Sequence, residues 1–129
     1  MTPVWVFDVD GTILDSLTGS SLRPGTREVL ARLRADGCRI LLWSAAGADY
    51  ARSRAAQHGV EHLFDGFHDK DIRDASGRYV ATFLEVPLDA TYVDDRPEDM
   101  PRGATVVAVS PYLADDPFDG GLARALPRE

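Results

Sequence analysis

Short apolar runs alternate along the chain with longer stretches in which apolar and polar residues are mixed. The runs predict buried β-strands, because they are short, β-prone and bounded by turn-forming residues; they lie at 4–7, 38–43, 91–93 and 104–109. Two mixed stretches predict α-helices, one that opens at Pro24-Gly25-Thr26 and ends at Gly37, and one over 48–58. Strands that alternate with helices in this way indicate a parallel sheet covered on both faces.

The segments between these elements carry weaker signals. Residues 60–64 predict a third short strand, 13–24 a loop or small hairpin, and 120–126 a short helix. The stretch 65–90 contains GRYVATFLEVP, which fits either a strand or a helix, and the pattern does not decide between them. The tail also carries three acids that we expect on a solvated face, namely Asp115, Asp116 and Asp119.

These patterns predict an α/β fold, specifically a three-layer α/β/α sandwich around a mostly parallel, Rossmann-like sheet. The 129 residues are enough for one ordinary domain and too few for two, which predicts a single domain over 1–129. Hydrophobic residues make up 44% of the chain, so a chain of this length has enough of them to build a core.

Composition and charge narrow the functional classes. The chain has one cysteine, Cys38, which excludes an intrachain disulfide and fits a reducing compartment. It shows no signal-peptide pattern and no apolar run near the roughly 20 residues of a membrane span, so we expect a cytoplasmic protein without a membrane partner. The net charge of -7 argues against a protein that binds nucleic acid over a broad surface, because such surfaces are usually basic.

Polar residues stand where three of the predicted strands end. Asp8 and Asp10 follow the first strand in FDVDGT, Ser44 follows the second, and Asp94 and Asp95 follow TYV. In parallel sheets of this kind, ligands bind beyond the carboxyl ends of the strands. We therefore expect these side chains, which are far apart in the sequence, to meet in one crevice.

The two aspartates after the first strand need a compensating charge or a chemical task. Aspartate is a poor strand residue, and two close carboxylates repel and raise each other's pKa. A carboxylate such as Asp8 can attack a phosphate ester and form an acyl-phosphate, and Mg²⁺ held by Asp8 and Asp95 would offset the charge repulsion. If the chain curls after Asp8, which Gly11 allows, Asp10 can reach the leaving group as an acid and base.

Ser44 and Lys70 are candidate donors to phosphoryl oxygens. Ser44 precedes a predicted helix and offers a hydroxyl and nearby backbone N–H groups, and Lys70 is the one lysine of the chain and offers a point charge. Each also has a plainer interpretation, Ser44 as a helix N-cap and Lys70 as a solvated surface residue. Asp99, between Pro97 and Pro101, is similarly open to interpretation as a turn residue.

Together these residues resemble the four motifs of the haloacid dehalogenase superfamily of phosphohydrolases. The motif D-x-D-G-T stands as Asp8-Val9-Asp10-Gly11-Thr12, the strand that ends in Ser or Thr stands as Leu41-Leu42-Trp43-Ser44, and the motif lysine is Lys70. The fourth motif, an apolar strand followed by Asp-Asp, stands as Tyr92-Val93-Asp94-Asp95, with Asp99 four residues beyond. The resemblance covers nearly the whole predicted fold.

The resemblance implies a role for each matching residue. It makes Asp8 the nucleophile and Asp10 the general acid and base. The implied Mg²⁺ ligands are Asp8, the backbone carbonyl of Asp10, and Asp95, while direct or water-mediated contact of Asp94 and Asp99 with the ion is left open. The implied substrate contacts are Gly11, Thr12, Ser44, Ala45 and Lys70.

The motif spacing leaves no room for a cap domain, because 13–43 and 45–69 are mostly helix and strand. The resemblance then implies an open site, as in members that act on proteins, nucleic-acid ends or bulky phosphates, so phosphorylated nucleic-acid ends stay open as substrates. The expected function is Mg²⁺-dependent hydrolysis of a phosphate monoester through an aspartyl-phosphate. The alternative is a catalytically silent domain that binds Mg²⁺ and phosphate. An oligomer could supply the missing lid.

Overall fold

A computed structural model describes residues 2–125, and the strands of this part of the chain form one parallel sheet. Its five strands stand in the order β3-β2-β1-β4-β5, and their bounds are β1 Val4–Asp8, β2 Arg39–Ser44, β3 Gly66–Asp69, β4 Ala90–Asp94 and β5 Thr105–Ala108. The chain runs outward from β1 to β3 and then returns to the other side of β1. The strand order therefore reverses beside β1, which lies at the centre.

The strand register brings the carboxyl ends of β1, β2 and β4 to one edge of the sheet. Asp8 pairs with Trp43 of β2, and Phe7, one residue earlier, pairs with Val93 of β4. Asp8, Ser44 and Asp94 consequently end their strands at nearly the same level. Open α/β sheets bind ligands at the point where the strand order reverses, so this edge is where a site is expected.

The α-helices of the described residues pack on one face of the sheet. Their bounds are α1 Thr26–Ala35, α2 Ala48–Gln57 and α3 Gly121–Ala125. Alternate strand side chains point to this face, since successive residues of a strand point to opposite sides. They form one core with the buried helix residues, which includes Trp5, Phe7, Ile40, Leu42, Val29, Leu30, Leu33, Ala51 and Leu122. None of the helices within 2–125 combines the length and apolar character needed to cross a membrane.

The opposite face of the sheet is covered by irregular chain. The strand residues that point to it pack against segments 79–89 and 95–104, which flank β4 and contain the short 3₁₀ helices Pro87–Asp89 and Pro97–Asp99. Trp43 is fully buried at the centre of this layer, and its ring lies 6.0 Å from that of Tyr79 and 5.6 Å from that of Phe83. These aromatic contacts hold the irregular segment against the sheet.

The predicted α/β class and the predicted parallel sheet are both confirmed. The strands predicted at 4–7, 38–43, 91–93 and 104–109 differ from β1, β2, β4 and β5 by no more than one residue at either end. The helix predicted over 48–58 is α2. Short apolar runs between turn signals were sufficient here because the central strands are buried on both faces.

The third strand predicted at 60–64 is wrong. Glu61–Leu63 form a 3₁₀ helix, and β3 lies at Gly66–Asp69, inside the stretch whose pattern was undecided. Val60 and Phe64 are buried, as they would be in a strand. However, the Val60 N–H donates to the Ala55 carbonyl at 2.9 Å and closes the end of α2. Periodicity cannot separate a short buried strand from a buried turn of this length.

Asp119 does not lie on a solvated face, in contrast to the prediction for the tail. Arg23 is only 1% exposed, and its Nε and Nη2 donate to the two carboxylate oxygens of Asp119 at 2.9 and 3.2 Å. The Nη1 of Arg23 donates to the carbonyls of Gly11 and Thr12 at 3.4 and 3.3 Å. This ion pair therefore ties the tail to the loop that follows β1.

The core on the helical face of the sheet predicts that replacing Leu42 destabilises the protein much more than replacing Leu17. Leu42 is fully buried in β2, whereas Leu17 is 75% exposed. Leu42→Ala should lower the free energy of unfolding by about 3 kcal/mol, because it removes buried methyl groups and leaves a cavity. Leu17→Ala, the matched control, should change it by less than about 0.5 kcal/mol. Urea denaturation measures both, and equal effects would contradict the assignment of this core.

Candidate active site

A cavity of about 450 Å³ opens at the edge of the sheet where β1, β2 and β4 end. Its wall brings together seven residues that the sequence singled out as site residues, namely Asp8, Asp10, Ser44, Ala45, Lys70, Asp94 and Asp95. They come from the ends of four different strands and the loops that follow, so their meeting depends on the sheet topology.

Asp8 is the last residue of β1 and is 8% exposed. Its Oδ1 lies 2.7 Å from the Lys70 Nζ, and its Oδ2 accepts a hydrogen bond of 3.1 Å from the Thr12 hydroxyl. Both carboxylate oxygens are thus held by donors from different segments. The Asp8 carboxylate is fixed in one orientation at the cavity wall.

Lys70 directly follows β3 and is 6% exposed, which excludes a solvated surface lysine. Its backbone N–H donates to the Ser44 carbonyl at 2.9 Å, and its Nζ contacts Asp8 and, at 3.2 Å, the Asp94 Oδ2. Burial by itself lowers the pKa of Lys70, but the charges of Asp8 and Asp94 outweigh it and raise the pKa above its ordinary value. The side chain is therefore a permanent ammonium.

Asp8, Asp94 and Asp95 form a compact trio of carboxylates. Each offers an oxygen within 4.8 Å of the oxygens of the other two. Burial, followed by the charge of Asp8, raises the pKa of Asp94 to about 6, although Lys70 opposes the shift. Burial, together with hydrogen bonding to Asp8 and the charges of Asp8 and Asp94, raises the pKa of Asp95 to about 7. Lys70 alone does not neutralise the trio.

The trio fits a hard divalent cation. Three carboxylate oxygens at this spacing match the oxygen ligands that Mg²⁺ and similar ions take in proteins. The raised pKa values of Asp94 and Asp95 show that the site lacks positive charge without an ion. Both oxygens of Asp94 already accept hydrogen bonds, from the Lys70 Nζ and from the Arg96 N–H. Asp8 accepts two such hydrogen bonds as well, from Lys70 and Thr12, so these contacts do not rank Asp8 above Asp94 as a ligand.

The chain curls directly after Asp8, which is the condition under which Asp10 was expected to reach a leaving group. The N–H groups of Thr12, Ile13 and Leu14 all point to the Val9 carbonyl, at 3.1 to 3.2 Å. This turn carries the Asp10 carboxylate away from the trio, where its Oδ1 accepts a 2.8 Å hydrogen bond from the Tyr50 hydroxyl. Asp10 still lines the cavity, so it faces the same space as Asp8 from another side.

Ser44 ends β2 and is 3% exposed. It is not the N-cap of α2, because that position is Gly47, and the Ala48 N–H of the first turn donates to the Asp69 Oδ1 at 2.6 Å. The Ser44 Oγ accepts from the Ala46 N–H at 3.0 Å. Since Ser44 lines the cavity, its hydroxyl can still donate to a ligand there. The N-cap interpretation of Ser44 is wrong.

Gly11 and Thr12 do not line the cavity, although both were expected to contact substrate. The Gly11 N–H donates to the Leu14 carbonyl at 2.8 Å, and Thr12 is fully buried with its hydroxyl on Asp8. A Cβ on Gly11 would collide with the carboxylate of Asp95, and its φ of 83° lies in the left-handed region. Both residues support the carboxylates from behind.

The cavity wall also contains residues that the sequence did not assign to it. They come from the irregular chain that follows β3 and β4, and they are Arg73, Tyr79, Arg96 and Met100. Asp99, left open between a metal-linked and a turn residue, ends a 3₁₀ helix and contacts Arg73 and Arg96 at 3.8 and 3.2 Å. It also lines the cavity but stands outside the carboxylate trio. One feature of the sequence could have assigned Arg96 to the cavity wall, namely its position directly after Asp95.

No protein-family model matches the chain, and no curated protein matches it either. Solved structures do match. An uncharacterized protein from Listeria monocytogenes serotype 4b superposes with a TM-score of 0.60 at 12% identity, covering 91% of this chain and 85% of that one. The core domain of a candidate phosphoglycolate phosphatase from Streptococcus pneumoniae TIGR4 superposes with a TM-score of 0.54 at 17% identity, covering 89% and 92%. The chain therefore shares its α/β fold with these two solved structures.

The carboxylate trio predicts that Mg²⁺ stabilises the protein more strongly at higher pH. The pKa values of Asp94 and Asp95, about 6 and about 7, lie above their ordinary 3.8. Their protonation therefore favours the fold at low pH, and this contribution is lost as pH rises through these values. A cation needs the deprotonated carboxylates. The rise in Tm on adding Mg²⁺ should be larger at about pH 8 than at about pH 5.

Thermal unfolding with and without Mg²⁺ at both pH values measures this effect. Asp95→Asn removes the carboxylate with the higher pKa and should show a small Mg²⁺ shift at both pH values. An equal rise in Tm at the two pH values in the unaltered chain would contradict a cation site at the trio.

Gly11 and Gly77 have similar φ angles but different surroundings. Alanine substitutions at the two positions therefore distinguish the effect of backbone strain from the effect of contact with the site. Gly11 has a φ of +83° and a Cβ there would meet Asp95, whereas Gly77 has a φ of +88° and a Cβ there would meet no heavy atom within 4 Å. Gly11→Ala and Gly77→Ala should both lose roughly 1 kcal/mol of stability from strain. Only Gly11→Ala should also weaken Mg²⁺ binding, measured by calorimetry. Equal Mg²⁺ affinity of the two variants would contradict the close approach.

Proposed function

We propose that the protein is a Mg²⁺-dependent phosphatase that hydrolyses a phosphate monoester through an aspartyl-phosphate on Asp8. The observation that carries the proposal is the arrangement around Asp8, a buried carboxylate held at 2.7 Å by Lys70 and within 4.8 Å of Asp94 and Asp95 oxygens. The buried carboxylate of Asp15, by contrast, accepts hydrogen bonds within its own loop, from Thr18 and Ser21. The Asp8 carboxylate lines an open cavity.

Substrate binding falls to the positive and donor groups of the wall. The Lys70 ammonium and the Ser44 hydroxyl would contact two phosphoryl oxygens and orient the phosphorus towards the Asp8 carboxylate. Mg²⁺, held by Asp8, Asp95 and the backbone of Asp10, would supply the charge that lets a carboxylate approach a phosphate dianion. Asp94 holds Lys70 in place and so acts through it.

In the first half-reaction, an oxygen of Asp8 forms a bond to phosphorus while the bond from phosphorus to the ester oxygen breaks. Asp10 gives its proton to that leaving oxygen, which departs as an alcohol. The Tyr50 hydroxyl, hydrogen-bonded to the Asp10 Oδ1 at 2.8 Å, orients this carboxyl group. The products of this step are the free alcohol and the phosphoryl group on Asp8.

In the second half-reaction, the Asp10 carboxylate takes a proton from a water molecule, whose oxygen attacks the phosphorus. The bond between phosphorus and the Asp8 oxygen breaks, which releases inorganic phosphate and restores both carboxyl groups. The position of Asp10 supports this dual role, since it lines the cavity but stands apart from the trio that would bind the cation.

The solved neighbours support the proposal in a general way. The Streptococcus pneumoniae core domain that shares this fold is a candidate phosphoglycolate phosphatase. Phosphatase chemistry on the same scaffold agrees with the carboxylates, the serine and the lysine found here. The substrate of that protein is not inferred for this one.

Phosphate release from para-nitrophenyl phosphate tests the proposed reaction. The unaltered chain should release phosphate with Mg²⁺ and should stop when EDTA removes the ion. Asp8→Asn should lower kcat by about a thousand-fold or more, because an amide cannot serve as the nucleophile. After acid quenching, the intact mass of the unaltered chain should show a phosphoryl adduct that Asp8→Asn lacks.

Asp71→Asn is the matched control for removal of a carboxylate near the site. Asp71 adjoins Lys70, is exposed and does not line the cavity, so its replacement should leave kcat unchanged. A folded chain that binds Mg²⁺ but releases no phosphate would contradict the proposal and favour the catalytically silent binding domain.

A further inference from the structure

Two arginines stand on the cavity wall beyond the groups that the proposed reaction uses. Arg73 follows β3, and Arg96 follows the Asp94-Asp95 pair. Lys70 and a divalent cation would already neutralise the carboxylate trio. The two guanidinium groups add positive charge to this part of the wall, and Asp99, which also lines the cavity, offsets part of it.

Arg73 belongs to a small hairpin over 72–80. The Asp74 N–H donates to the Arg78 carbonyl at 2.8 Å, and the Val80 N–H donates to the Ile72 carbonyl at 2.8 Å. The Arg73 guanidinium lies 4.0 Å from the centre of the Tyr79 ring, and its Nη2 donates to the Tyr79 hydroxyl at 2.7 Å. The hairpin thus presents Arg73 in a fixed position, although its side chain remains 47% exposed.

Arg96 is fixed through its backbone and free to act through its side chain. Its N–H donates to the Asp94 Oδ1 at 2.8 Å, which anchors it to the end of β4. Its Nε lies 3.2 Å from the Asp99 Oδ2 and 3.7 Å from the exposed Glu98. With the side chain 68% exposed, the guanidinium of Arg96 is accessible to a ligand at the cavity wall.

Asp99 holds the two arginines next to each other. Arg73 approaches its Oδ1 at 3.8 Å and Arg96 approaches its Oδ2 at 3.2 Å, and the Tyr79 N–H donates to its carbonyl at 2.7 Å. Exposed ion pairs of this kind contribute little stability. Arg73 also donates to the Gly77 carbonyl and the Tyr79 hydroxyl, but each guanidinium group carries five donors, so the pair retains donors for another anion.

We propose that Arg73 and Arg96 bind a second anionic group of the substrate, which would make the substrate a phosphate monoester that also carries a carboxylate or a second phosphate. This inference rests on the proposed phosphatase function and narrows its substrate class. The planar guanidinium groups suit the oxygens of either anion. The open cavity leaves space for both ends of such a substrate.

Matched aryl phosphates test this inference. Para-carboxyphenyl phosphate and para-carbamoylphenyl phosphate have nearly the same size and differ by one negative charge. Para-phosphonophenyl phosphate replaces the carboxylate by a phosphonate. The meta isomers vary the distance between the phosphate and the second anionic group. The unaltered chain should show a kcat/KM about ten-fold higher for the better of the anionic substrates than for the carbamoyl one. The carboxylate and phosphonate arms show which anion the arginines prefer.

Arg73→Gln and Arg96→Gln should each lower the anionic-to-neutral ratio of kcat/KM by about ten-fold or bring it to unity, mainly through a higher KM for the anionic substrate. Arg78→Gln is the matched control, because Arg78 lies on the same hairpin but does not line the cavity. It should leave the ratio unchanged, whatever it does to stability.

The outcomes separate this inference from the proposed function. The unaltered chain could turn over all the substrates with an anionic-to-neutral ratio of kcat/KM near unity, or the three variants could share one ratio. Either result would overturn the second anion site and leave the phosphatase function standing. Absence of turnover of every substrate by the folded, Mg²⁺-loaded chain would contradict the phosphatase function and this inference with it.

Discussion

The rest of the site depends on three like charges, two of them buried and one half-buried, at one edge of the sheet. Asp8, Asp94 and Asp95 lie so close that they cannot all ionise without a partner, and Lys70 supplies only one positive charge. This constraint explains why Lys70 must follow β3: the β3 register with β2 brings it to the level of Ser44. The remaining charge deficit is what a divalent cation would satisfy.

The two faces of the sheet contribute differently to this arrangement. The helical face supplies most of the apolar core and fixes the strands that carry the acids. The other face is covered by irregular chain, whose aromatic residues surround Trp43 of β2. The Lys70 ammonium lies 5.2 Å from the centre of the Trp43 ring and 5.4 Å from the centre of the Tyr79 ring. This apolar wall excludes water from one side of Lys70 and strengthens its attraction to Asp8.

The sequence predicted the fold class and the grouping of the strand-end acids, because the patterns behind both predictions lie within short stretches of the chain. Asp8, Ser44 and Asp94 each end a short apolar run, and a parallel sheet must collect such ends at one edge. Arg73 and Tyr79 lie in 65–90, where no period identifies a strand or helix and where contacts with distant residues decide the conformation. The Arg23–Asp119 pair was missed for the same reason, because it joins residues far apart in the sequence.

The same irregular segment stabilises the sheet and shapes the cavity, and this limits how the site can vary. Tyr79 packs against Trp43 on one side and holds Arg73 on the other, and its N–H fixes the Asp99 carbonyl. A replacement of Tyr79 would therefore disturb the core and the cavity wall together. Arg73 and Arg96 do not belong to this aromatic core, and their side chains are 47% and 68% exposed. A replacement at either arginine should therefore disturb the fold less than a replacement of the aromatic residues beneath them.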